Sequence, residues 1–320
     1  MNKTAQLLLK LLVGLVLFAL LYLQLSSSQL RFLFVYDDFR QHLSATKLPL
    51  LFAAVLLMPL NWYLEAVKWG VLLNRNYSTT TLLRGVIAGV TMGFVTPARS
   101  GEFLGRVIFL NDTDRVRSFY LTAIGGMAQA VPTYAMGAIC VALLGSTIIP
   151  GFEFVTGLAI GLATVFIFFY FRFEFLNALI RRLPFLANRN LIIDKDEIPP
   201  PAILTKTLAI AILRYSIYVA QYVLLALFFC QGKDLNALII GTGALLVLQS
   251  LSPLTPFLDV PLRGVMALTV FGVLLDENRI GILFTVAAIV LINLAIPALV
   301  GYIFILNRRL PSPQTINTLQ

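Results

Sequence analysis

Thr96-Pro97-Ala98-Arg99-Ser100-Gly101-Glu102-Phe103-Leu104-Gly105-Arg106 interrupts the apolar sequence at a point where a membrane span would otherwise run. Two arginines and a glutamate cannot face lipid, because hydrocarbon offers them neither water nor hydrogen-bond partners. They must face protein or a watery cavity. This string is therefore the leading candidate for a working site, and the rest of the chain is read outward from it.

Composition sets the class. Of the 320 residues, 59% are hydrophobic and only 12% charged, with a mean hydropathy of +0.88; a soluble domain carries about 25% charge. The sequence predicts an all-α polytopic membrane protein, a single integral domain over 1–320. The net charge of +9 is explained by membrane topology rather than by nucleic acid. Cys140 and Cys230 lie in apolar runs and read as buried thiols, and His42 is the single histidine. No metal or cofactor site is expected.

Apolar runs long enough to cross about 30 Å of hydrocarbon occur around 5–25, 48–73, 118–144, 154–171, 207–230 and 281–306. Two further apolar regions, 82–110 and 237–275, are broken midway by proline and charge, as re-entrant hairpins would be. The second of these also fits two full spans. The first segment has no small-residue cleavage site after its apolar core and reads as an uncleaved span. With the N-terminus inside, Lys3, Lys10, Arg75, the basic residues between Arg172 and Lys206, and Arg308-Arg309 are cytoplasmic. Only Arg31, Arg40, Lys47, Lys233 and Arg279 remain outside. Both termini are then cytoplasmic.

This arrangement predicts two inverted four-element repeats, approximately 1–150 and 151–320, each containing one broken hairpin. Val95-Thr96-Pro97 recurs as Leu254-Thr255-Pro256 at the corresponding point of the second half. Inverted repeats with paired broken helices bind cargo near the midplane in transporters.

Thr96-Pro97 reads as an N-cap followed by proline at the first helical position, which would place Arg99 one turn into a helix. Such a helix start, with Arg99 beside it, favours an anionic group such as phosphate. Arg99, Glu102 and Arg106 follow at i, i+3 and i+7, so Glu102 can pair with either arginine. Asn61, Glu65 and Trp69 share a face of the second span, and Lys68 either pairs with Glu65 at i+3 or snorkels to the cytoplasmic interface, the reading preferred. Arg214 has Tyr218 and Gln221 near its face at i+4 and i+7; it needs a carboxylate or phosphate partner if it is deep, and near Lys206 it snorkels to the cytoplasm, again the reading preferred. Asp259 and Arg263, at i, i+4 in the second hairpin, pair either with each other or across to Arg99 and Glu102. Gly85, Gly89 and Gly93, and separately Gly157 and Gly161, are small-residue patterns for close helix packing. The stretch 31–45 is read as lying on the outer surface and Asp194-Lys195-Asp196-Glu197 as a solvated loop.

Asn61, Trp69 and the run from Gly89 through Thr96-Pro97-Ala98-Arg99-Ser100-Gly101-Glu102 resemble the membrane domain of lysylphosphatidylglycerol synthases and its free-standing, flippase-like relatives. Ala98 replaces a glycine of that family's Pro-Gly-Arg-x-Gly-Glu string. The second motif departs further, with Phe257 to Arg263 in place of Gly-Gly-x-Gly, and Ala128-Gln129-Ala130 stands where an acidic pattern with arginine is usual. The resemblance implies the translocating half alone, without the aminoacyl-transfer domain, in a bacterial inner membrane.

The function expected is transbilayer translocation of a phospholipid or lipid-linked anionic substrate, with Thr96, Arg99, Glu102, Arg106, Asp259, Arg263, Glu65 and Asn61 as substrate-binding residues and no catalytic group. The alternatives are a membrane-embedded lipid-modifying transferase and a non-transporting subunit of an envelope-synthesis complex. A homo-oligomer is compatible with any of these.

Overall fold

The computed structural model describes residues 45–96, 99–110, 112–145, 149, 151–173, 175, 198–230, 234–252, 259–274 and 279–307. The expected first span, nearly all of 31–45, the acidic loop at 194–197, Pro97 and Thr255-Pro256 lie outside these residues. All the regular structure described is helical: α1 Leu48–Leu73, α2 Thr79–Phe94, α3 Gly101–Val107, α4 Asp112–Leu144, α5 Phe152–Phe171, α6 Pro201–Phe229, α7 Leu235–Ser250, α8 Asp259–Leu274, α9 Arg279–Val290 and α10 Ile296–Leu306. A π turn, Leu291–Ala295, joins α9 to α10.

Among the described residues, five helices are long and apolar enough to cross a membrane: α1, α4, α5, α6 and the continuous α9–α10 segment. The protein is an integral membrane protein. Large apolar side chains on the outside, such as Phe52, Leu143, Phe154 and Ile303, form the surface that lipid would solvate. In contrast, α2, α7 and α8 have 16 residues each, roughly 24 Å of helix and short of a full crossing.

The helix ends follow local chemistry. Asn74 adopts a left-handed conformation and closes α1 by donating its N–H to the Gly70 carbonyl. Ser78 caps α2 by accepting from Thr81 N–H at 3.2 Å, and Asp234 caps α7 by accepting from the N–H groups of Asn236 and Ala237. Helix α6 opens after Pro199-Pro200 with Pro201 at its first position, where a missing N–H costs nothing. Pro261 sits in the first turn of α8 for the same reason, so Asp259 and Arg263 share a regular helix.

Around this frame, α1 packs on α6, α4 on α5 and α7, α2 on α3 and α10, and α9 on α6 and α8. The α2–α3 hairpin is tight because glycines face it from both sides. A Cβ at Gly89 would come within 3.0 Å of the Glu102 carbonyl oxygen, and one at Gly105 would run into the Ala88 carbonyl. Gly157 and Gly161 face open space. The second glycine pattern therefore mediates no close packing among the described residues, which corrects its reading from spacing alone.

Candidate functional site

Glu65 lies on α1 eight residues, about 12 Å of helix, from the Leu73 end. Its Oε1 accepts from Arg106 Nη2 at 2.7 Å, while Oε2 meets Lys68 Nζ at 2.7 Å and Arg214 Nη1. All four groups are buried or nearly so. Arg214 also donates through Nε to Asn61 Oδ1 at 2.8 Å and through Nη1 to Gln129 Oε1 at 3.0 Å. Lys68 donates a second hydrogen bond to the Gly125 carbonyl at 3.1 Å. One carboxylate thus ties together α1, α3, α4 and α6.

Glu102 extends the network toward the hairpin turn. Arg106 Nη2 reaches its Oε1 at 2.5 Å, and Arg99 Nη2 lies 3.4 Å from its Oε2. The Arg106 guanidinium also lies over the Trp69 ring at 5.6 Å, which orients it as well as attracting it. The Arg99 side chain is 42% exposed, against 19% for Glu102 and 4% for Arg106, so positive charge is offered at this end of the site.

The turn differs from its expected geometry. Regular α-helix resumes at Gly101 rather than Pro97. Thr96 Oγ1 donates back to the Met92 carbonyl at 2.9 Å and accepts from Gly101 N–H at 2.7 Å. Thr96 therefore bridges the end of α2 to the start of α3 and occupies a donor that would otherwise face a ligand. Arg99 lies in the connection with φ 59, a left-handed conformation costing a non-glycine residue about 1–2 kcal/mol.

On the second hairpin, Arg263 Nε donates to Asp259 Oδ2 at 2.6 Å, and Nη1 donates to Gln249 Oε1 on α7 at 3.3 Å. Of the two pairings open to Asp259 and Arg263 from sequence, the structure has the local one. Both hairpins nonetheless border one cavity of about 650 Å³, whose wall includes Glu65, Arg99, Arg106, Arg214, Gln249 and Arg263. Asn61, Glu102 and Lys68 border it as well. Thr96 and Asp259 stand behind the wall, Thr96 bonded to both arms of its hairpin and Asp259 to Arg263 on its own helix.

Of the two readings open to Lys68 and to Arg214, the structure has the inward, carboxylate-paired one, not the preferred snorkelling. Lys68 is 2% exposed and Arg214 12%; both are held inward by Glu65 instead of reaching the interface. Tyr218, on the polar stripe of Arg214, also borders the cavity, as do Gln129, Gln249 and Asn293, which the sequence did not mark as site residues. Asn293 had a readable signal, since it is the one amide within the apolar run 281–306. It sits on the π turn, 4% exposed, with Nδ2 bonded to the Ile289 carbonyl at 3.3 Å and Oδ1 without a partner. Such turns recur at functional positions. Trp62 Nε1 and Arg106 Nε are buried donors without acceptors at the same cavity.

The family model described as the lysylphosphatidylglycerol synthase TM region matches residues 7–258. That interval includes all of α1 to α7 and the network centred on Glu65. No curated protein matches the chain.

Proposed function

The chain belongs to the lysylphosphatidylglycerol synthase transmembrane-region family, and on that premise we propose that it translocates a phosphate-bearing lipid between the leaflets of a bacterial inner membrane. One observation carries this reading: a cationic, partly open cavity between the helices, bordered by both hairpins. Arginine binds phosphate through two parallel N–H donors, and Arg99 is the most exposed guanidinium of the Glu65–Glu102 network. In this reading Arg99 engages the headgroup first. Arg106 and Arg214 then supply positive potential from behind, with Glu65 and Glu102 as exchangeable counter-ions.

The packing pattern supports an inverted-repeat origin. If α1, α2, α3 and α4 correspond to α6, α7, α8 and α9–α10, each contact among these elements in one half has its counterpart in the other. The contact of α2 with α10 answers that of α7 with α4, and α3 with α4 answers α8 with α9; α1 with α6 is the pair on the axis. A site between two such halves can open to either side by rocking one against the other. The excess of Lys and Arg in the loops on one side supports a cytoplasmic setting for both termini.

The test is a leaflet-exchange assay in proteoliposomes with fluorescent phosphatidylglycerol, phosphatidate and phosphatidylcholine. Faster exchange of the anionic lipids than in protein-free vesicles supports the proposal. Rates equal to those of protein-free vesicles for every lipid refute it.

A further inference from the structure

The cavity wall carries more positive charge than its own carboxylates can neutralise. Lys68, Arg99, Arg106, Arg214 and Arg263 border it, against Glu65 and Glu102; Asp259 adds one negative charge from behind through its bond to Arg263. Among the described residues this leaves a surplus of two positive charges within the helices. Glu65 already serves three cations and Glu102 two, so their single negative charges are shared and the surplus is not neutralised. A low-dielectric interior makes an uncompensated charge costly. The bound ligand is the natural source of the missing anions.

We infer that the cavity selects a lipid whose headgroup is a dianionic phosphate, a phosphomonoester or diphosphate, over singly charged and zwitterionic phospholipids. The inference rests on the proposed lipid-binding role of this cavity and narrows its cargo. A terminal phosphate also offers the cavity's guanidinium groups more acceptor oxygens than a phosphodiester does. A headgroup ammonium, by contrast, would enter a region that already repels cations. Aminoacylated headgroups are disfavoured on that ground.

The chain's two tryptophans, Trp62 and Trp69, both stand at this site, so intrinsic fluorescence reports binding there. The full chain in detergent micelles would be titrated at pH 8 with dioctanoyl phosphatidate, dioctanoyl phosphatidylglycerol, dioctanoyl phosphatidylcholine, farnesyl diphosphate and inorganic diphosphate. Phosphatidate should bind about tenfold more tightly than phosphatidylglycerol, the order expected of one further charge near several guanidinium groups, and phosphatidylcholine more weakly still. Farnesyl diphosphate should exceed inorganic diphosphate; equal affinity for the two would mean a soluble-anion site and overturn the lipid assignment. Arg99→Gln, whose side chain is well exposed, should bring the phosphatidate-to-phosphatidylglycerol ratio toward unity. Arg84→Gln, beside Phe304 and outside the cavity, should leave it unchanged. Equal affinity of the wild type for both lipids, an unaltered ratio in Arg99→Gln, or no binding by any of them overturns the inference. Dianion-selective binding without leaflet exchange would refute translocation while leaving the inference standing, whereas exchange without charge preference would do the reverse.

Discussion

Glu65 answers three cations with two oxygens, which makes it the residue whose loss the fold should feel most. Removing one member of a buried ionic set strands its partners and costs about 3–5 kcal/mol. Glu65→Gln should therefore lower the unfolding midpoint by circular dichroism, and adding Lys68→Met should recover part of the loss because one stranded cation is gone. A midpoint unchanged in Glu65→Gln would contradict the network. Asn293 predicts the opposite sign. Its Oδ1 is buried without a donor, a penalty of about 1–3 kcal/mol, so Asn293→Leu should hold or raise the midpoint while weakening lipid binding. A loss of stability with normal binding would make Asn293 merely structural. Glu65 and Asn61 were legible in the sequence because they share a helical face inside an apolar run. The true settings of Lys68 and Arg214 were not legible, since depth in the membrane depends on which helix lies opposite. A lysine five residues from a span's end can snorkel or turn inward, and here Glu65 and the Gly125 carbonyl turn it inward.

At the scale of elements, the two glycine patterns have the same spacing and opposite consequences. Gly89→Ala brings a Cβ to 3.0 Å from the Glu102 carbonyl oxygen, and overpacking of this kind costs about 1–3 kcal/mol. Gly157→Ala and Gly161→Ala meet nothing within 4 Å and should be neutral or stabilising by up to about 1 kcal/mol through helix propensity. Denaturant titration of the three variants separates these outcomes, and equal effects at all three would contradict the hairpin packing. Spacing reveals that a face is smooth, but only the partner decides whether smoothness is used. The hairpin turn was misread for a related reason: Thr96-Pro97 has the composition of a helix start. Yet the Thr96 hydroxyl bonds Gly101 N–H, so the helix begins after the turn that carries Arg99.

Across the whole molecule, the described spans were readable almost to their ends, because about 20 apolar residues are a strong signal and hydrocarbon leaves backbone few choices. The sidedness of the chain can be checked directly. In a background lacking Cys140 and Cys230, cysteines replacing the exposed Asn76 and Asn307 should be labelled from the cytoplasm, and those replacing Glu153 and Asp234 from outside. Finding Glu153 and Asn76 on the same side would end the inverted-repeat account. The convergence of both hairpins on one cavity was anticipated from topology, whereas the charge surplus within it required the side chains in place.

The most direct measurement is the leaflet-exchange rate of a fluorescent phosphatidate in proteoliposomes carrying equal amounts of folded wild type, Arg99→Lys or Arg99→Ala. A single ammonium cannot reproduce two parallel guanidinium contacts with phosphate. The account predicts rapid exchange for the wild type, partial exchange for Arg99→Lys and the protein-free rate for Arg99→Ala. Exchange by Arg99→Ala at the wild-type rate would contradict it.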